Sequence, residues 1–294
     1  MNEIAINVEN INRNLKFIAN AIVEGFISGL HQSPYHGFSV EFSDHKAYTN
    51  GEPVSLIDWK LYSKTDKYFI KRYEDETNVR TYFLLDCSKS MSFVSNKITK
   101  IDYAKLLTAC LINLSLRQRD ATGLTLFNDK IISTLPAKSK STWLNQCLVT
   151  LENIKCEGAT NISETIFKFN ENIKKRSLIV IITDFLDNSD ELIKALNYLK
   201  FNKHHCILFH IIDKEEQEFK FKDEIDFVDL ETDEVMNVSP WMIKKEYLNK
   251  FEMFRVKHKE MIEKLNFEYV PIRTDTPIKN NLKQFLINRR KTSI

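Results

Sequence analysis

Three short segments carry residue types that could act together on one ligand. They are Asp86-Cys87-Ser88-Lys89-Ser90, Thr160 within Gly158-Ala159-Thr160-Asn161, and Asp184 at the end of a long apolar run. Two carboxylates and three hydroxyls make an all-oxygen donor set. Such a set suits a hard divalent cation, magnesium or manganese, rather than zinc, which favours cysteine and histidine. In an extended loop every second side chain falls on the same side. Asp86, Ser88 and Ser90 can then face one point while Cys87 and Lys89 face away. Asp86 and Asp184 neutralise a dication without surplus negative charge, so the ion stays electrophilic and open to a further carboxylate from a partner. Lys89, inside the loop, could offer an ammonium in place of the metal.

The elements that must position these residues follow from periodicity. Thr81 to Leu85 is a short apolar run ending in Asp86, and residues 100–118 follow with helical spacing at Ile101, Ala104, Leu107, Leu111 and Leu114. Residues 121–127 read as a strand, continued by 130–135 after the turn signal Asn128-Asp129. A helix over 141–152 leads to the Thr160 loop, and Ser163 opens another to about Lys174. Leu178–Ile182 is the longest unbroken apolar run in the chain, as expected of a central parallel strand covered on both faces. Helix 189–200, strand 205–212, helix 241–264, strand 267–273 and helix 279–290 complete the alternation. The expected fold is α/β, a doubly wound, mostly parallel sheet, in which ligands collect at the carboxyl ends of the strands. All three loops fall at that edge. Asp or Ser after a strand also serves simply to cap the next helix, but D-x-S-x-S with Thr160 and Asp184 at matching edges is more than a cap requires.

Two segments break the rhythm. Residues 34–80, with turn signals at Asn50-Gly51-Glu52-Pro53, read as an antiparallel element packed beside the core. Residues 215–238 read as an insertion with a hairpin near Glu231 to Glu234. The division expected is 1–79, an N-terminal helix with the appended β-containing element, and 80–294, the α/β core. Within residues 15–30, Phe17, Ile18, Ala21, Ile22 and Phe26 recur at helical spacing and should pack on the protein itself.

Composition narrows the function. The 294 residues hold 42 Lys plus Arg against 40 Asp plus Glu, a net charge of +2 that gives no case for a nucleic-acid binder. Cys87, Cys110, Cys147, Cys156 and Cys206 are odd in number and widely spaced, so neither a disulfide framework nor a zinc site is expected. Glu3 and Glu9 stand where a signal peptide would be basic, and no apolar run nears the roughly 20 residues of a transmembrane segment. A cytoplasmic chain is the expectation. His31, His36, His45, His204 and His205 read as structural, and Asp58-Trp59 as a partner-binding pair or a Trp packed on the core.

At the three loops the sequence resembles the von Willebrand factor A-type domain, whose metal-ion-dependent adhesion site (MIDAS) has this D-x-S-x-S, Thr, Asp pattern. More specifically, it resembles the bacterial family catalogued as domain of unknown function fifty-eight. The matching residues are Gly29-Leu30-His31, Ser33-Pro34, His36-Gly37, Val40-Glu41-Phe42, Tyr48, Gly51-Glu52, Ile57-Asp58-Trp59, Lys71 and Leu85 to Met91. The likeness continues through Asp120 to Gly123, Gly158 to Thr160, Thr183-Asp184 and Asp275 to Pro277. Lys46 replaces the family's usual Arg, and Glu52 its Asp. The resemblance implies a von Willebrand factor A-like core, a metal held by Asp86, Ser88, Ser90, Thr160 and Asp184, and work beside a MoxR-type AAA+ ATPase. The function expected is a non-enzymatic, metal-dependent protein-interaction module. One alternative is a magnesium-dependent phosphohydrolase or nuclease on the same edge, although a P-loop is absent. The other is a scaffold with a vestigial site.

Overall fold

Strand–helix alternation from residue 80 onward builds one six-stranded sheet. The computed structural model describes residues 8–29, 41–47, 59–65, 68–74, 80–95, 98–186, 189–221, 225–228 and 235–292. The chain begins with α1 (Val8–Gly29), β1 (Glu41–Ala47), α2 (Trp59–Thr65), β2 (Phe69–Glu74) and β3 (Arg80–Asp86). A 3-10 turn at Lys89–Ser92 leads to α3 (Lys100–Arg117), β4 (Ala121–Phe127), β5 (Ile131–Lys138), α4 (Trp143–Glu152) and α5 (Ile162–Glu171). Next come β6 (Leu178–Thr183), α6 (Ser189–Phe201), β7 (His205–Ile212) and α7 (Lys214–Glu218). The chain continues through β8 (Ile225–Val228), β9 (Val235–Val238), α8 (Pro240–Lys264), β10 (Glu268–Arg273) and α9 (Ile278–Thr292).

The strand order is β10-β7-β6-β3-β4-β5, with every pairing parallel except the antiparallel β4–β5 hairpin. The chain runs from β3 outward to β5, then returns to lay β6 on the other side of β3. The switch in strand order therefore falls between β3 and β6, where a crevice forms at the carboxyl ends. Pro136 lies in β5 and Pro271 in β10, the two edge strands, where a missing N–H breaks no interior ladder.

Alternation along the central strands divides the core. Phe83, Leu85, Val180 and Ile182 face one layer, with residues of α1, α3, α4 and α9. Leu84, Ile179 and Ile181 face the other, with residues of α5, α6 and α8. Nearly all of α3 is buried, from Lys100 to Asn113, because it lies between the sheet and α1.

The helix expected over 15–30 is longer, and its regularity breaks at Asn14 (φ −137°, ψ 28°). Leu15, Ile18, Ala19 and Val23 are buried in the core as a docking helix requires. Phe17 departs from expectation: it is 69% exposed, because Leu15, Ile18, Ala19 and Val23 form the inward stripe and Phe17 falls outside it. Phe26's side chain lies outside the described residues.

Both irregular segments contain antiparallel pairs. β1 pairs with β2, Lys46 opposite Ile70, with α2 between them in sequence. The turn signal Asn50 to Pro53 lies outside the described residues. β8 pairs with β9, Ile225 opposite Val238, while the turn expected near Glu231 to Glu234 lies outside the described residues. Among the described residues, no helix is long and apolar enough to cross a membrane.

Two measurements test this packing. Leu15→Ala should cost about 2–5 kcal/mol in urea unfolding, whereas Phe17→Ala should change little. At the start of β4, burial pushes the Asp120 carboxyl up from 3.8 to about 7, and its Oδ1 makes no hydrogen bond. A carboxyl raised in the fold contributes stability that is complete below pH ~4 and lost as pH rises towards ~7. Asp120→Asn should therefore raise Tm relative to the wild type at pH 8, and change it far less at pH 4.

Candidate functional site at the sheet switch point

Parallel register sets Leu85 beside Ile182, so the residues that follow, Asp86 and Thr183, meet at the ends of β3 and β6. Asp86 Oδ1 accepts the Ser88 N–H at 2.9 Å. Its Oδ2 accepts the hydroxyls of Thr183 at 2.6 Å and Thr160 at 2.9 Å. Ser88 Oγ and Ser90 Oγ are 3.0 Å apart, and Ser90 is hydrogen-bonded to Asp184. One continuous hydrogen-bonded cluster thus joins Asp86, Ser88, Ser90, Thr160 and Asp184, the five residues singled out from the sequence.

Backbone contacts hold the three loops in place. Cys87 N–H donates to Phe127 O at 2.6 Å, Lys89 N–H to Gly158 O at 2.8 Å, and Glu157 N–H to Cys87 O at 3.1 Å. The 157–158 strip therefore lies against the D-x-S-x-S loop. Asn128 fastens it further, its Nδ2 donating to Glu157 O at 2.7 Å and its carbonyl accepting the Asn161 N–H at 2.9 Å. Gly158 has φ 74°, and a Cβ there would lie 3.3 Å from Asn128 Nδ2, so both backbone and space favour glycine. The Asn128-Asp129 turn, read in the sequence only as a hairpin signal, thus also positions Thr160.

At the sheet's edge the site side chains themselves are withdrawn from solvent, although Glu157, Gly158 and Ala159 beside Thr160 are exposed. Asp86 and Ser88 are fully buried, Ser90 and Asp184 nearly so, and only Thr160 is half-buried. An ammonium does lie on Asp184, the role the sequence offered to Lys89. That cation is Lys100, at the first position of α3, with 1% of its side chain exposed and its Nζ 2.7 Å from both Asp184 Oδ2 and Glu216 Oε1. Burial works against its charge, but Asp184 and Glu216 outweigh it and hold the ammonium protonated. Burial also opposes the charge on Asp184, and Lys100 more than offsets it, keeping that carboxyl below its usual range. Asp86 is pushed up to about 6 by burial first and by the negative charge of Asp184 second.

Lys100 and Glu216 were missed in the sequence as site residues, and Thr183 entered only through the family likeness at Thr183-Asp184. Thr183 ends an apolar run with nothing to distinguish it, and Glu216 sits in a five-residue helix too short to show a period. His210, inside β7, was also passed over. Burial holds it down to about 3, so it stays neutral, and its Nδ1 lies 2.6 Å from Tyr269 Oη.

Other candidates have structural roles. His204 Nδ1 accepts the Ser177 N–H, and His205 Nε2 lies 2.9 Å from Glu268 Oε1. Trp59 is 55% exposed, edge-on to Tyr62, rather than packed on the core. Asp58, His31, His36 and the side chain of His45 lie outside the described residues.

The donor set fits a hard cation by its chemistry, since carboxylate and hydroxyl oxygens converge. Among the described residues, no group of three or more His, Cys, Asp or Glu could hold a metal ion. Any ion here must therefore rely on hydroxyls beside Asp86 and Asp184.

These features, a mostly parallel α/β sheet with D-x-S-x-S, Thr and Asp at its switch point, are the fold and residue pattern that the resemblance to the von Willebrand factor A-type domain implies. The family model described as "Protein of unknown function DUF58" matches residues 44–260, well over half of the sequence. The chain belongs to that family. An uncharacterized protein of Mycobacterium tuberculosis is 22% identical over 177 residues, which is 59% of this chain and 56% of the relative. The chain thus matches little more than half the length of that relative. Among solved structures, it is similar to BatB from Bacteroides thetaiotaomicron, at 16% identity over 72% of this chain and 99% of that one, with TM-score 0.47. It is also similar to the VWA domain of SpRpn10, at 13% identity over 70% of this chain and 94% of that one, with TM-score 0.44.

Asp86→Ala removes the acceptor for one backbone N–H and two hydroxyls in a buried place. It should cost about 1–3 kcal/mol in denaturant unfolding, more than Asp86→Asn, which retains a carbonyl acceptor.

Proposed function

We propose that the chain is a non-enzymatic protein-interaction module whose contact face is the carboxyl edge of the sheet, and that its contact depends on magnesium or manganese. The observation that carries this reading is the convergence of Asp86, Ser88, Ser90, Thr160 and Asp184 in one oxygen-lined cluster at the switch point. When bound, the ion supplies an electrophilic position that a partner's carboxylate can complete. The residues' part is to present oxygens in a fixed arrangement: Asp86 orders the loops, and Asp184 brings the second negative charge.

The chemistry near the cluster favours binding over catalysis. Burial pushes the Cys87 thiol up, so it is a poor nucleophile. His210, which feels the charge of Asp184, is held neutral and bonded to Tyr269 instead of the cluster. A phosphohydrolase would need a second metal or a base beside the oxygens. The partner implied by the sequence resemblance is a MoxR-type AAA+ ATPase, offering an acidic residue.

Calorimetry with magnesium and manganese tests the reading. Wild-type protein should bind one ion, and Asp184→Ala should lose it while circular dichroism shows the sheet retained. A purified MoxR-type ATPase should associate in magnesium and dissociate in EDTA. Association that persists in EDTA, with neither ion bound at millimolar concentration, would make the site vestigial. Magnesium-dependent phosphoester hydrolysis that survives repurification and disappears in Asp86→Asn would make the chain an enzyme.

A further inference from the structure

Lys100 occupies a position that local rules disfavour twice. A cation at the first turn of a helix opposes the macrodipole, and an ammonium with 1% exposure has lost its hydration. Thr99 already caps α3 by accepting the Asp102 N–H, so the helix start does not need the lysine. What holds Lys100 there is a pair of carboxylates from different elements, Asp184 after β6 and Glu216 in α7, each 2.7 Å from Nζ.

Glu216 is itself fixed. Its Oε2 accepts the Asp213 N–H at 2.8 Å, while Asp213 Oδ1 accepts the Glu215 N–H at 2.8 Å, so a capping box starts α7. Asp213 also receives the hydroxyls of Ser95 and Thr274. Of the two oxygens of Glu216, one serves the cap and the other serves Lys100. The lysine is therefore held between the candidate metal site and an independently braced helix.

We propose that Lys100 is a tethered counter-ion for Asp184 in the metal-free chain, and that a divalent cation binds only when Lys100 yields Asp184 and remains paired with Glu216. The inference rests on the metal-site reading and deepens it by naming what the ion competes with. A dication and an ammonium cannot both lie against Asp184 without strong repulsion. Without Glu216, the displaced ammonium would be left buried and unpaired, so that carboxylate makes the exchange feasible. The exchange also links ion binding to α7, because the ammonium then bears on the residue that starts this helix. Occupancy of the metal site would thereby be felt in the segment leading to the β8–β9 hairpin.

Manganese titrations of the full chain by calorimetry test this, using wild type, Lys100→Met, Glu216→Gln and the double variant. Lys100→Met removes the competitor at similar volume and should bind manganese roughly tenfold tighter or more. Glu216→Gln should weaken binding in the wild-type background, and this loss should shrink once Lys100 is gone. Lys100→Met leaves carboxylates without a counter-ion and could unfold, so melting curves are recorded with and without manganese. Manganese should raise its Tm more than that of the wild type. Equal or weaker binding by a folded Lys100→Met, with wild type binding manganese, overturns the counter-ion proposal and leaves the metal-site reading standing. An equal loss from Glu216→Gln in both backgrounds overturns the role given to Glu216. If neither wild type nor Lys100→Met binds manganese at millimolar concentration, the metal-site reading itself falls, and the proposal with it.

Discussion

A carboxylate with no access to water must find its hydrogen bonds inside the protein, and Asp86 finds them from three separate stretches of chain. Ser88 N–H comes from its own loop, Thr160 from the loop before α5, and Thr183 from the end of β6. Each donor fixes a different element, so one side chain ties β3, β6 and the 157–161 strip at a single point. The parallel pairing of β3 with β6 makes this possible, because it carries both strand ends to the same level. An antiparallel partner would have sent Thr183 and Asp184 to the opposite edge.

Charge balance is the second requirement. Asp86 and Asp184 are close enough for one to raise the other, and both are buried. The fold handles them unequally. Asp184 is given an ammonium and stays ionised, whereas Asp86 is given neutral donors and holds its proton more readily than an ordinary carboxyl. The two acids that appear equivalent in the sequence therefore release their protons over different pH ranges, Asp86 near pH 6 and Asp184 below the usual carboxylate range. Such separation by environment is how one cluster can combine a fixed anion with an adjustable one.

The strands and the five oxygen-bearing residues were legible in the sequence for a simple reason. Apolar runs such as Leu178–Ile182 mark buried strands, and a polar residue at the end of such a run must sit at the sheet's edge. What escaped was whatever depends on a distant partner. Lys100 reads as an ordinary helix-end charge unless Asp184 and Glu216 are known to surround it. Glu216 lies among acids in a segment too short for a period. Asn128 looks complete as a turn residue, and nothing local shows that it also carries the Thr160 strip. The burial of Asp86, Ser88, Ser90 and Asp184 was missed for the same reason, since side chains in a loop after a strand are normally at the surface. Phe17 shows the converse error: helical spacing fixed a face, and tertiary packing chose the adjacent one.

The prolines at the sheet's margins bear on how the molecule can meet others. Pro136 in β5 and Pro271 in β10 carry no N–H, and on an edge strand proline is placed where it deprives an incoming strand of a donor. Next to Pro136 the β4–β5 register also shifts, between Thr122 and Leu124, bending that margin. Lengthening of this sheet by a strand from another chain is disfavoured on both flanks. On this six-stranded sheet, contacts with another chain are left to side chains at the strand ends and along the helices, a surface that can discriminate by shape and charge where backbone pairing would accept almost any extended peptide.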